Sequence, residues 1–239
     1  MKFLLILLGT VLSFGANAQK TSTVADPNAS PRMLNGSFTA INVSDGIDLY
    51  LSEGTEESLA VSFSDEKYSE RFKTEVENGV LKIYFDNKGV NWNSNKKREL
   101  KAYVSFKTLD KLSASGGASI NLPVSVNVSN LQMKLTSGAR FDGELHAGSL
   151  SIEQNSGAVV DMTGAAEKLS IDVSSGAVFK GYELKTVNCD AKATSGGVIR
   201  IYIDKELTAK ANSGGSIHYK GNAVIKDVNV NSGGVVKKA

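Results

Sequence analysis

Leu131-Gln-Met-Lys-Leu-Thr-Ser-Gly-Ala-Arg-Phe-Asp142 is the stretch that decides the fold, because its plan recurs down the second half of the chain. Ser-Gly followed by Gly or Ala occurs at Ser115, Ser137, Ser156, Ser175, Ser195, Ser213 and Ser232, at intervals of 22, 19, 19, 20, 18 and 19 residues. A fixed turn signature at such a regular interval is the mark of a solenoid, in which each repeat forms one coil stacked on the last.

Strand side chains alternate faces with period two. Counted from each Ser, the positions six, four and two before and four after are mostly apolar: Leu131, Met133, Leu135 and Phe141 in one copy, Leu169, Ile171, Val173 and Phe179 in another. The positions between them are polar. One before the Ser stand Thr136, Asn155, Ser174, Thr194, Asn212 and Asn231. Five after stand Asp142, Asp161, Lys180, Arg200, His218 and Lys237. Equivalent positions of successive coils stack at about 4.8 Å, which sets Asp161 beside Lys180. Alternation this regular predicts strand.

The glycines after these serines (Gly116, Gly138, Gly157, Gly176, Gly196, Gly214 and Gly233) are expected at the corners between strands, where positive φ is needed. The small residue that follows suits a tight corner. Seven equivalent serines are not seven nucleophiles, so no catalytic residue is assigned to them. Core volume is balanced within a coil, since Ala191 and Ala193 precede Ile199, Ile201 and Ile203. Cys189 occupies a Leu column as a small buried hydrophobe. Gln154, in an apolar column, needs an internal hydrogen bond.

Residues 33–110 lack the Ser-Gly period but alternate like strands, with Asn78-Gly79 as a hairpin signal between two apolar-rich runs. This part is read as strands and a cap, and residues 111–239 as the regular coils. Lys237 and Lys238 are read as blunting the last edge.

Met1 to Ala18 reads as a signal peptide: Lys2, an apolar run, then Ala16-Asn17-Ala18 before cleavage at Gln19. Residues 19–32 read as a flexible leader. The apolar run is shorter than the roughly 20 residues that span a bilayer, and no later stretch is longer, so the mature chain is expected to be free of membrane spans and periplasmic or extracellular. One cysteine forms no intrachain disulfide. With 27 basic and 25 acidic residues the chain is nearly neutral, which argues against nucleic acid as a partner.

Asn87-Lys-Gly-Val-Asn-Trp-Asn-Ser-Asn-Lys-Lys-Arg98 holds the only Trp and a basic triplet. Asn91, Trp92 and Asn93 could stack on and bond to a sugar, and Lys96, Lys97 and Arg98 could attract its acidic groups; the alternative is a solvated hairpin loop. One Cys and two separated His, His146 and His218, give no metal site, and no cofactor signature is present.

Gly36-Ser-Phe-Thr-Ala-Ile-Asn-Val-Ser-Asp-Gly-Ile-Asp48, Val76-Glu-Asn-Gly-Val-Leu81 and the Ser-Gly-Ala and Ser-Gly-Gly turns resemble the putative auto-transporter adhesin, head GIN domain family. The resemblance covers residues 33–239, with the family tripeptide standing here as Gly46-Ile47-Asp48. It implies an all-β, single-stranded right-handed parallel β-helix, similar in shape to pectin lyases, exported by bacteria and used in adhesion. The resulting expectation is a non-enzymatic binding module for a glycan or cell-surface component. The alternatives are a carbohydrate-active lyase or hydrolase, for which Asp142 and Asp161 are the nearest carboxylate pair, and a structural envelope protein without ligand. The sequence sets neither the ligand nor the oligomeric state.

Overall fold

The computed structural model describes residues 26–88 and 98–239. The expected signal peptide and the first part of the leader lie outside them. The N-terminal strands are β1 (Ser30–Pro31), β2 (Ala40–Val43), β3 (Asp48–Glu53), β4 (Ser58–Phe63), β5 (Phe72–Glu77), β6 (Val80–Phe85) and β7 (Leu100–Phe106). Next come β8 (Lys111–Ala114), β9 (Ser119–Asn121), β10 (Val126–Leu135), β11 (Arg140–Gln154), β12 (Val159–Val173) and β13 (Val178–Ala193). The last are β14 (Val198–Ala211), β15 (Ser216–Lys220), β16 (Val224–Val230) and β17 (Val235–Lys238). A short 3-10 turn, Glu66–Tyr68, separates β4 from β5. From β8 onward every pairing is parallel, and the whole is a β-solenoid of about seven turns.

The corner has a defined chemistry. In the copy at Ser137, the Ala139 N–H donates to the Thr136 carbonyl at 3.1 Å, and Ser137 and Gly138 have φ of 53° and 75°. Two successive left-handed residues inside a closed four-residue turn are the type I′ pattern, whose twist matches that of the flanking strands. The five later copies repeat it. Both central residues therefore have positive φ, not the glycine alone. A serine held there carries strain of about 1–3 kcal/mol.

That strain is offset by contacts between coils. Gly138 N–H donates to the Ser156 carbonyl at 3.0 Å, and Gly157, Gly176, Gly196 and Gly214 donate to the serine carbonyl of the next coil at 3.2 Å. The corners consequently stand directly over one another. Lys180 Nζ lies 3.3 Å from Asp161 Oδ2, as the stacking requires.

The first copy departs from the expected alignment by one residue. Its left-handed pair is Gly116 and Gly117, with φ of 57° and 75°. Ser115 thus occupies the place of Thr136, and Gly116 that of Ser137. Registers Leu112↔Met133, Ala114↔Leu135 and Ile120↔Phe141 follow. Counting from Ser115 put Lys111, Ser113 and Ser119 in apolar columns; in the fold they face outward, and Leu112, Ala114 and Ile120 are buried.

The strand-rich cap is present, but in a different order from the chain. β2 pairs in parallel with both β6 and β8, and β3 with both β7 and β9. The coil made by β2 and β3 therefore lies inside the stack, and the later β6 and β7 form its end. Antiparallel β5 covers β6, antiparallel β4 covers β7, and β1 covers β4. The edge is closed by hairpin pairing, with Asn78 and Gly79 (φ 51° and 74°) turning β5 into β6. Of the expected flexible leader, residues 26–32 are held down: β1 pairs with β4, and the Arg32 N–H donates to the Leu59 carbonyl at 2.8 Å.

The core runs the length of the stack. Ala191, Ala193, Ile199, Ile201 and Ile203 are all fully buried, so bulk has moved from one arm of the coil to the other. Cys189 is buried against its Leu column, and that burial pushes its thiol pKa far up. Gln154 Nε2 donates to the carbonyls of Val178 (3.2 Å) and Ala158 (3.4 Å), while its Oε1 has no partner.

Corner space differs along the stack. Ala139, Ala158 and Ala177 fit, whereas a Cβ on Gly215 would lie 2.2 Å from the Ala193 carbonyl oxygen. A Cβ on Gly157 would meet nothing within 4 Å, so only its φ of 72° opposes a side chain. Urea denaturation should rank the variants accordingly. Gly157→Ala should cost about 1 kcal/mol, and Gly215→Ala clearly more, because backbone must move. Equal costs would contradict the difference in corner space.

Candidate binding faces

The capping coil lacks a four-residue corner. Val43 pairs with Ile83 and Asp48 with Lys101, so the chain from Tyr84 to Leu100 takes the place of residues 44–47. Asn87, which precedes residues 89–97, stands next to Asp45-Gly46 at the end of the corner row. Asn91, Trp92, Asn93, Lys96 and Lys97 lie outside the described residues. Arg98 is described, and its guanidinium sits 4.5 Å from the Phe85 ring centroid while donating to Asn87 Oδ1 at 3.1 Å. Asn87 Nδ2 in turn donates to Asp45 Oδ1 at 2.9 Å. Arg98 is thus built into the foot of the segment.

Asp45 and Gly46 have φ of 62° and 72°, and Ser44 N–H donates to the Ile83 carbonyl at 3.0 Å. Asp45-Gly46 therefore repeats the left-handed pair of the corner, followed by a fully buried Ile47 and the outward carboxylate of Asp48. Sequence reading missed this because Asp replaces Ser. Asp-Gly is itself a type I′ signal, so the clue was available. Burial raises the Asp48 pKa, opposed by a hydrogen bond from Ser119 and the charge of Lys101.

Outward columns follow from the register. Tyr103, Tyr50, Asn121 and Asp142 share one, which continues through Asp161, Lys180, Arg200, His218 and Lys237. Tyr50 and Tyr103 stack with centroids 5.1 Å apart and planes 15° from parallel. The Tyr103 hydroxyl and Ser62 Oγ each donate to Asp26 Oδ2 at 2.7 Å. Those two bonds, Tyr103 first, hold the Asp26 pKa down at about 2. On the opposite face Lys134–Glu153 and Lys192–Asp172 pair across coils at 2.9 and 2.8 Å. Exposed pairs of this kind contribute at most about 1 kcal/mol each. They neutralise the face more than they hold it.

Asp142 and Asp161 are neighbours in register, with Asp161 engaged by Lys180. His146 contacts Glu144 and His218 contacts Ser216, so the histidines remain apart. Among the described residues no three His, Cys, Asp or Glu side chains gather to hold a metal, and no helix is long and apolar enough to cross a membrane. A shallow hollow of about 530 Å³ lies beside β5, where Arg32 and Arg71 are committed to backbone carbonyls.

Residues 37–223 match the family model described as putative auto-transporter adhesin, head GIN domain. The chain belongs to this family. Solved structures of similar fold include a putative adhesin from Bacteroides fragilis, with a TM-score of 0.80 at 18% identity over 88% of this chain and 96% of that one. A putative adhesin from Parabacteroides merdae gives 0.66 at 20% identity, covering 90% and 97%. A putative lipid binding protein from Parabacteroides distasonis gives 0.59 at 21% identity, covering 90% and 98%. At these identities the likeness is one of fold. Among curated proteins none matches the chain.

The Asp26 geometry makes a pH prediction. Its folded pKa of about 2 lies below the ordinary 3.8, so its contribution is present above the ordinary value and is lost as pH falls through about 2. Hydrogen exchange should show β1 loosening between pH 4 and pH 2, ahead of the coils. Asp26→Asn should already show a loosened β1 at pH 7. An unchanged β1 in that variant would contradict the tether.

Proposed function

We propose that this chain is an exported, non-enzymatic binding module that presents its rigid β-solenoid surface to a glycan or cell-envelope partner. The observation that carries this reading is the ladder of corners, which fixes outward side chains in straight columns about 4.8 Å apart per coil. Such a surface engages a long partner through many weak, equivalent contacts whose combined strength comes from valency. Membership of an adhesin family supports the same reading. The Trp92 segment is the candidate point of specificity, and its described neighbours Asn87 and Arg98 are held by Asp45 and by each other.

A screen of the mature protein against glycans, whole bacterial cells and lipid vesicles tests this. Binding to a glycan or cell fraction is expected, weakened roughly tenfold in Trp92→Ala, as for loss of a stacking aromatic. Failure of every fraction to bind would overturn the reading. So would calcium-dependent release of unsaturated products from uronate polysaccharides, if Asp142→Ala or Asp161→Ala abolished it.

A further inference from the structure

We infer that the C-terminal half of the outward column, Lys180, Arg200, His218 and Lys237, is a docking line for an acidic polysaccharide laid along the solenoid axis. This rests on the binding-module reading and names the chemistry of the partner. The four side chains occupy successive rungs: Lys180 pairs in register with Arg200, Arg200 with His218, and His218 with Lys237. At about 4.8 Å per coil the run spans about 14 Å.

Like charges on adjacent rungs destabilise a sheet. In the Lys134 column two cations are offset, Lys134 by Glu153 and Lys192 by Asp172, while Glu153 adjoins Asp172 and Lys192 adjoins Lys210. Here only Lys180 has an acid, Asp161, below it. Among the described residues Arg200 and Lys237 form no ion pair, and His218 faces the Ser216 hydroxyl. Lys220, two residues beyond His218 on the same face, adds a further cation over the Tyr182 ring at 4.4 Å.

The shape of the site selects the partner. A file one residue wide, repeating every coil, matches a linear chain with an acidic group on each sugar. Val178 and Val198 beside it are half-buried, and most large exposed apolar side chains lie in β16 and β17, so the line offers little to insert into a bilayer.

The experiment measures binding of the full mature protein to polygalacturonate, to heparin and to neutral dextran across a salt series. Single-stranded DNA and anionic phosphatidylglycerol vesicles serve as comparison polyanions. The expected result is binding to one or both acidic polysaccharides and not to dextran, falling steeply with salt as counterions are released. Arg200→Glu with Lys237→Glu should weaken it by about tenfold or more, with the melting temperature measured in parallel. Lys111→Glu with Lys210→Glu, an equal charge change on the other face, should leave it intact.

Equal loss in both variants would overturn the proposal, as would equal or tighter binding to DNA or vesicles. Cell or neutral-glycan binding without any acidic-polysaccharide binding would also overturn it, while leaving the binding-module reading standing. Absence of all binding would remove both.

Discussion

The hydrogen bond from the corner glycine to the serine carbonyl of the next coil, made by Gly117, Gly138, Gly157, Gly176, Gly196 and Gly214, is the constraint on which the rest depends. It obliges every coil to place its turn over the turn before it. The strands on either side then have no freedom of register, because a slip of one residue would exchange core and surface along the whole coil. Two left-handed residues in succession are tolerated at each corner because the turn bond and the coil-to-coil bond act together on the same four residues. The fully buried Ile199, Ile201 and Ile203 beside Ala191 and Ala193 show the consequence in the core: with register fixed, volume is free to move between arms as long as the coil stays full.

The same constraint gives the surface its character. Side chains that would be scattered on a globular domain stand here in files, and neighbours in a file are near in space though about nineteen residues apart in sequence. Ion pairs such as Lys134–Glu153 and Lys192–Asp172 keep one face close to neutral. The other face runs from stacked tyrosines through carboxylates to Lys180, Arg200, His218 and Lys237, of which Lys180 pairs with Asp161. A fold that fixes the spacing of outward side chains along one axis is suited to holding long partners.

The two ends of the stack differ. The N-terminal end is closed by antiparallel β4 and β5, with Asp26 tied down by Tyr103 and Ser62 over the outer strand. At the other end Val228 and Val230 repeat the buried positions of Ala209 and Ala211 but are 41% and 44% exposed. Lys237 and Lys238 stand along that edge, where charge discourages pairing.

Most of the solenoid was legible in the sequence because the turn chemistry and the period-two pattern agree from Ser137 onward. The first copy was read one residue out of place, since in Ser115-Gly116-Gly117 the left-handed pair is the two glycines and not Ser-Gly. The insertion of β2 and β3 between β7 and β8 was not legible, because which parallel strands adjoin depends on long-range pairing and not on local pattern. Asp45-Gly46 was passed over for want of a serine. Of the residues singled out around Trp92 only Arg98 is described, and its contacts with Phe85 and Asn87 were not legible because they depend on how the chain folds back on itself.

Distances between spin labels placed at exposed corner serines test the stacking most directly. With Ser137→Cys as the fixed site, partners at Ser213→Cys and Ser232→Cys stand four and five coils away, and labels should separate by about 19 Å and about 24 Å. A steady increase of one strand spacing per coil is the predicted result. Distances that fail to grow with coil number would contradict corners lying one above another, and with them the account of both the core and the binding face.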